Sequence, residues 1–97
     1  MLMQDKILDE LRGMKPVLQK QYRVSRIGVF GSVARSQAGP GSDIDIVVEM
    51  TEPDLFSLVH LKDALEQRLG SRVDIVHYRE HMNPFLKEHI RKEAIYV

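Results

Sequence analysis

The stretch Gly28–Val48 reads GVFGSVARSQAGPGSDIDIVV. A short apolar run leads into a glycine-rich loop, and a second apolar run follows that carries Asp43 and Asp45 on either side of Ile44. Side chains on a strand alternate, so the two aspartates share one face while Ile44 and Ile46 take the other. Their backbone positions lie about 7 Å apart by strand rise, close enough for the carboxylates to converge on a divalent ion. Hard oxygen ligands suit Mg²⁺, which binds through a few carboxylates together with substrate phosphates. Taken alone, the pair reads equally well as two aspartates facing water at the mouth of a strand.

The preceding residues sharpen that choice. Gly31 and Ser32 sit where the first apolar run meets the start of a short helix, read as capped by Ser32 and running through Arg35. Free backbone N–H groups at such a junction favour phosphate, glycine allows close approach, and the serine hydroxyl adds a donor. A lone Gly-Ser is more often a plain turn and cap. No GxxxxGK[ST] occurs, so this is not a Walker-type loop.

Outward from this centre, the chain alternates helices and strands. Ile7, Leu8, Leu11, Met14 and Leu18 give the N-terminus helical spacing. Gly13 and Pro16 predict a kink or two shorter helices there. Arg26–Phe30 reads as a buried strand, Ser36–Ser42 as a loop and Asp43–Met50 as a second strand. Thr51–Gly70 reads as a helix with an inner stripe of Leu58, Leu61, Leu65 and Leu69, and Gly70 suits its C-terminal end. Arg72–Tyr78 is the third strand. Asn83 and Pro84 open a last helix whose inward edge is Leu86, Ile90 and Ala94.

The predicted fold class is α/β (α+β): one domain over residues 1–97, in the order α-β-α-β-α-β-α, with a mixed three-stranded sheet and packed helices. A full helix between the second and third strands makes that pair parallel. The short connection between the first and second suits an antiparallel pair. Parallel pairing would set Asp74 beside Asp45 on the same face. Three gathered carboxylates repel one another, and a cation resolves the repulsion. On its own, Asp74 is equally a strand-edge aspartate facing solvent or Arg72.

Composition narrows the class. Fourteen basic residues balance fourteen acidic ones, so no global field favours nucleic acid or an anionic membrane. The absence of cysteine excludes disulfides and thiolate metal sites and fits a reducing compartment. The opening MLMQDKILDE lacks the order of a signal peptide, and no apolar run approaches the roughly 20 residues that span a bilayer. The expectation is a cytoplasmic, single-domain protein without direct nucleic-acid binding.

GSVAR followed by SDIDIVV resembles the signature of the DNA polymerase beta-type nucleotidyltransferase superfamily. With RVDIV and NPFLKEHIRKEAIYV, the whole chain is similar to its minimal nucleotidyltransferase (MNT) branch. The resemblance implies that Gly31 and Ser32 hold a nucleoside triphosphate, with Arg35 and Ser42 as further nucleotide contacts. It implies two Mg²⁺ ions on Asp43, Asp45 and Asp74, with ATP as substrate and Asp74 as general base. Gly41 stands where many relatives have a polar residue, which loosens the loop but removes no ligand.

Minimal members resemble the antitoxin of HEPN/MNT toxin–antitoxin pairs. That resemblance implies transfer of AMP from ATP to a tyrosine of a HEPN ribonuclease toxin, within a hetero-oligomer. Two other readings stay open. One is an antitoxin that neutralises by binding alone. The other is a subunit of a small-molecule, aminoglycoside-type nucleotidyltransferase. The remaining signals read as structural. His77 and His81 straddle a strand end and a loop. Lys87, Arg91 and Lys92 form a solvated helix face. Tyr22, Tyr78 and Tyr96 are expected at the core edge, and Phe56 and Phe85 in the core by default, with partner contact as the alternative.

Overall fold

Apolar residues recur at helical spacing early in the chain, and the computed structural model, which describes residues 3–37, 41 and 43–97, forms a helix there. Helix α1 spans Met3–Gln21 and buries Ile7, Leu8, Leu11, Met14 and Leu18. Of the kink or two shorter helices expected at Gly13 and Pro16, the division into two does not occur: one helix runs through both. Proline removes one hydrogen bond, but buried residues lie on both sides of it, so packing holds the two halves in one helix.

Strand β1 is Val24–Phe30, followed by the short helix α2, Gly31–Ala34. Strand β2 is Ile44–Met50, helix α3 is Leu55–Leu69, strand β3 is Val73–His77 and helix α4 is Pro84–Glu93. The ends of α3 follow their local chemistry. The Asp54 carboxylate accepts from Phe56 N–H, and Gly70 closes the helix in the left-handed conformation, as caps of this kind require. Asn83 caps α4 through Phe85 N–H and Leu86 N–H, with Pro84 in the first turn.

The sheet is mixed, in the order β3-β2-β1-β4. Strands β1 and β2 are antiparallel, and the α3 crossover makes β2 and β3 parallel. The predicted three-stranded sheet gains a fourth strand, β4, at Ile95–Tyr96, paired antiparallel with Gly28 and Val29 of β1. Gly28 is the physical reason. A Cβ there would stand 2.9 Å from the carbonyl carbon of Ile95 and from Cα of Tyr96, so only glycine admits the last segment at this edge.

Both faces of the sheet are covered. Ile27 and Val29 of β1, Ile44, Ile46 and Val48 of β2 and Val73 of β3 pack with α1, and with Leu61 and Leu65 of α3, in one core. Phe30, Val47 and Ile90 centre a smaller core on the other face, with Leu86 of α4 and Ala94 just past its end against it. Tyr22, Tyr78 and Tyr96 lie at the edges of these cores. Phe56 and Phe85, expected inside, are exposed at 74% and 86%. Each sits in the first turn of its helix, on the side away from the sheet. Among the described residues, no helix is long and apolar enough to cross a membrane.

Candidate active site

Alternation along β2 buries Ile44, Ile46 and Val48 beneath α1 and α3 and turns Asp45 and Val47 to the α4 face. Asp45 is half-buried, while Asp43 and Asp74 are exposed. The strand pairing is decisive for placement. Asp45 is the register partner of Asp74 on β3 and of Phe30 on β1. The end of β1, with the turn that follows it, therefore flanks Asp45 on one side, and Asp74 flanks it on the other.

Gly31 has φ +67, and a Cβ built there would collide with Oδ2 of Asp45. The Asp45 carboxylate thus fills the space that a side chain at Gly31 would need, and it lies directly against the turn. Both the positive φ and the close approach require glycine. Helix α2 begins here, but Ser32 makes no capping bond; the capping position falls to Phe30, which has no side-chain acceptor. The expected Ser32 cap is therefore replaced by a serine inside the first turn, half-buried beside Gly31. The turn is closed by Arg35 N–H to Gly31 O at 3.1 Å and Gln37 N–H to Ser32 O at 2.8 Å. Helix α2 has four residues, so its dipole is small, and a phosphate here would rely on local N–H groups.

The Asp45 carboxyl titrates above its ordinary value. Burial is the main cause, and the negative charges of Asp74 and then Asp43 add to it, while Arg35 and His89 oppose it. The Asp45 carboxyl is thus within electrostatic reach of both other aspartates, of Arg35 just past α2 and of His89 on α4. As they stand, they do not close into a ready-made cage: among the described residues, no three His, Asp or Glu side chains are assembled to hold a metal ion. Mutual repulsion favours that spread. The residues nonetheless fit Mg²⁺. The register fixes the backbones of Asp45 and Asp74 side by side, Asp43 stands one residue before β2 with its charge felt at Asp45, and the donors are all hard oxygens. Ser42 lies outside the described residues.

Arg35 ends α2. Its Nη1 donates to Oε2 of Glu93 at 2.9 Å and its Nε to Oε1 of Gln37 at 3.1 Å. His89 Nε2 also meets Oε2 of Glu93, at 2.9 Å. Reasoning from sequence passed over His89 and Glu93. Their signal was weak, an i,i+4 pair on the flank of the Leu86–Ile90–Ala94 edge. His77 lies at the end of β3 and His81 in the bend after it, apart from this site.

A model of the family described as Polymerase beta, Nucleotidyltransferase matches residues 13–97. The chain belongs to this nucleotidyltransferase family. Among its relatives, a candidate protein adenylyltransferase of Methanocaldococcus jannaschii is 42% identical over 92 residues, with 94% of each chain covered. The protein adenylyltransferase MntA of Thermococcus cleftensis is 36% identical over 98 residues, covering 100% of this chain and 98% of the other. Solved structures agree. A candidate minimal nucleotidyltransferase superimposes with a TM-score of 0.72 at 40% identity, covering 91% of this chain and 93% of that one. A toxin–antitoxin structure with AMP-PNP gives 0.75 at 26% identity, covering 92% and 72%. A tri-AMPylated Shewanella oneidensis HEPN toxin in complex with its MNT antitoxin gives 0.62 at 26%, covering 98% and 68%. Its nucleotidyltransferase fold, a mixed sheet with helices on both faces, is the one this chain adopts.

Proposed function

We propose that this nucleotidyltransferase is an antitoxin that transfers AMP from ATP to a tyrosine hydroxyl of a HEPN-domain toxin and so inactivates it. A single minimal nucleotidyltransferase domain over residues 1–97 would carry the activity. The observation that carries the reading is the placement of Asp45 between Asp74 and the Gly31 turn. Carboxylates for a cation and a turn for phosphate then meet at one spot. Relatives named as protein adenylyltransferases and a structural neighbour with an AMPylated HEPN toxin support the choice of acceptor.

Asp43, Asp45 and Asp74 are the residues that would hold Mg²⁺, two ions in this reading. When bound, the cation supplies Lewis-acid activation of the acceptor hydroxyl and offsets charge on the departing pyrophosphate. The chain's own groups do the rest. The turn at Gly31 and Ser32 orients the triphosphate through N–H groups and the serine hydroxyl. Asp74, exposed at the rim, accepts the proton of the tyrosine hydroxyl as its oxygen bonds to the α-phosphorus. The bond from that phosphorus to the β-phosphate oxygen breaks, and pyrophosphate leaves toward Arg35. Positioning and electrostatics, rather than covalent chemistry by the protein, set the rate. Exposure of Asp43 and Asp74 leaves room for an acceptor brought by another chain.

The test is incubation of the purified HEPN partner with this protein, ATP and Mg²⁺, read by intact mass and ribonuclease activity. A gain of one or more AMP units with loss of ribonuclease activity is expected. Neutralisation that persists in an Asp43→Asn/Asp45→Asn double variant, with no mass change, would instead identify an antitoxin that acts by binding alone.

A further inference from the structure

Glu93 stands at the end of α4, 58 residues along the chain from Arg35, yet a single oxygen of its carboxylate joins two nitrogen-bearing side chains. Oε2 accepts from Arg35 Nη1 at 2.9 Å and from His89 Nε2 at 2.9 Å. The Glu93 side chain is 24% exposed, against 40% for Arg35. Its place is fixed from below, because Ile90, one turn earlier, is fully buried between α4 and the sheet. Arg35 is fixed on its other side by Gln37, and its backbone N–H closes the turn that begins at Gly31. A long arginine side chain is thus tied at two of its donors, and His89 restrains the carboxylate that ties it.

We propose that Glu93 is a positioning residue for nucleotide binding: it holds the Arg35 guanidinium over the phosphate turn so that Arg35 meets the outer phosphates of ATP without first being ordered. The inference rests on the nucleotidyl-transfer reading. In that reading the reacting phosphorus lies at Asp43, Asp45 and Asp74. The Gly31–Ser32 turn and Arg35 are left for the two phosphates that depart. An arginine fork has five donors, so bonds to Gln37 and Glu93 leave capacity for a phosphate. Arresting a flexible side chain beforehand lowers the entropy lost on binding. A purely structural role is the competing explanation, although a partly exposed ion pair adds little to stability.

The two are separated by direct binding of a non-hydrolysable ATP analogue and of AMP, each with Mg²⁺ and without any partner protein, by calorimetry. Glu93→Ala is expected to weaken the ATP analogue ~10-fold while AMP changes less than about 2-fold, because AMP lacks the outer phosphates. Glu93→Gln, which keeps an acceptor oxygen and the side-chain volume, is expected to recover part of the loss. In an Arg35→Ala background, Glu93→Ala should add nothing. Equal loss for both nucleotides, additivity with Arg35→Ala, or tighter ATP binding in Glu93→Ala would overturn the inference. The last would mean that Glu93 competes with phosphate for Arg35. If the wild type binds the analogue and Glu93→Ala is unchanged, this inference fails and the transfer reading stands. If the wild type binds neither nucleotide, both fail.

Discussion

Oδ2 of Asp45 occupies the position that a Cβ on Gly31 would take. One residue belongs to the strand that carries the acidic pair and the other to the turn expected to grip phosphate. The two are packed against each other, so a side chain added at Gly31 would displace the Asp45 carboxylate. Gly31→Ala therefore tests the coupling. It forces an L-residue into φ +67, which costs about 1–2 kcal/mol, and it displaces the Asp45 carboxylate as well. We expect a folded protein with a lower urea midpoint and loss of AMP transfer by at least ~100-fold. Full transfer by Gly31→Ala would show that the contact is incidental.

In the proposed site, Asp45 would couple function to stability. Its carboxyl is raised by burial, then by Asp74 and Asp43, so the folded state prefers it protonated. The associated stability is fully present below the ordinary carboxyl value of 3.8 and is lost as pH rises through the raised value. At neutral pH the charged carboxylate therefore opposes folding. Asp45→Asn is expected to raise the thermal midpoint at pH 7 in metal-free buffer, with the gain vanishing below pH 3.8, while transfer is abolished. A lower midpoint at pH 7 would contradict this assignment of strain to the site.

Ile90 anchors α4 over the smaller core and is fully buried with Phe30 and Val47. Ile90→Ala leaves a cavity under the helix that presents His89 and Glu93, and a loss of about 2–5 kcal/mol is expected from denaturant unfolding. A loss below about 0.5 kcal/mol would show that α4 is not held by this contact.

Phe56 and Phe85 make the opposite case. Both are exposed, so Phe56→Ser and Phe85→Ser should each change stability by no more than about 0.5 kcal/mol. A drop of about 3 kcal/mol, the scale of a buried phenylalanine, would place them in the core after all.

Strand alternation and the crossover rule are local, and they made the pairing of Asp45 with Asp74 legible: the two fall on one side because Ile44, Ile46 and Val73 must fall on the other, whereas Asp43, expected on the strand, stands just before it. What escaped was set by distant pieces of chain. The pairing of β4 depends on an absent Cβ at Gly28 meeting Ile95 and Tyr96, and two residues are too few to show a period. The Arg35–Glu93 pair joins segments with no sequence pattern in common. Phe56 and Phe85 misled because apolar character alone does not say which side of a helix meets the sheet. Ser32 looked like a cap because serine is a good one, yet the helix starts one residue before it, at Gly31, with Phe30 in the capping position.

The central claim is that Asp43, Asp45 and Asp74 bind divalent cation beside the Gly31 turn. The most direct measurement is Mn²⁺ titration, followed by the paramagnetic signal of the free ion, in the presence of a non-hydrolysable ATP analogue. Wild type should take up Mn²⁺, and Asp74→Asn and Asp45→Asn should each bind it at least ~10-fold more weakly while remaining folded. Equal uptake by wild type and both variants would contradict the account.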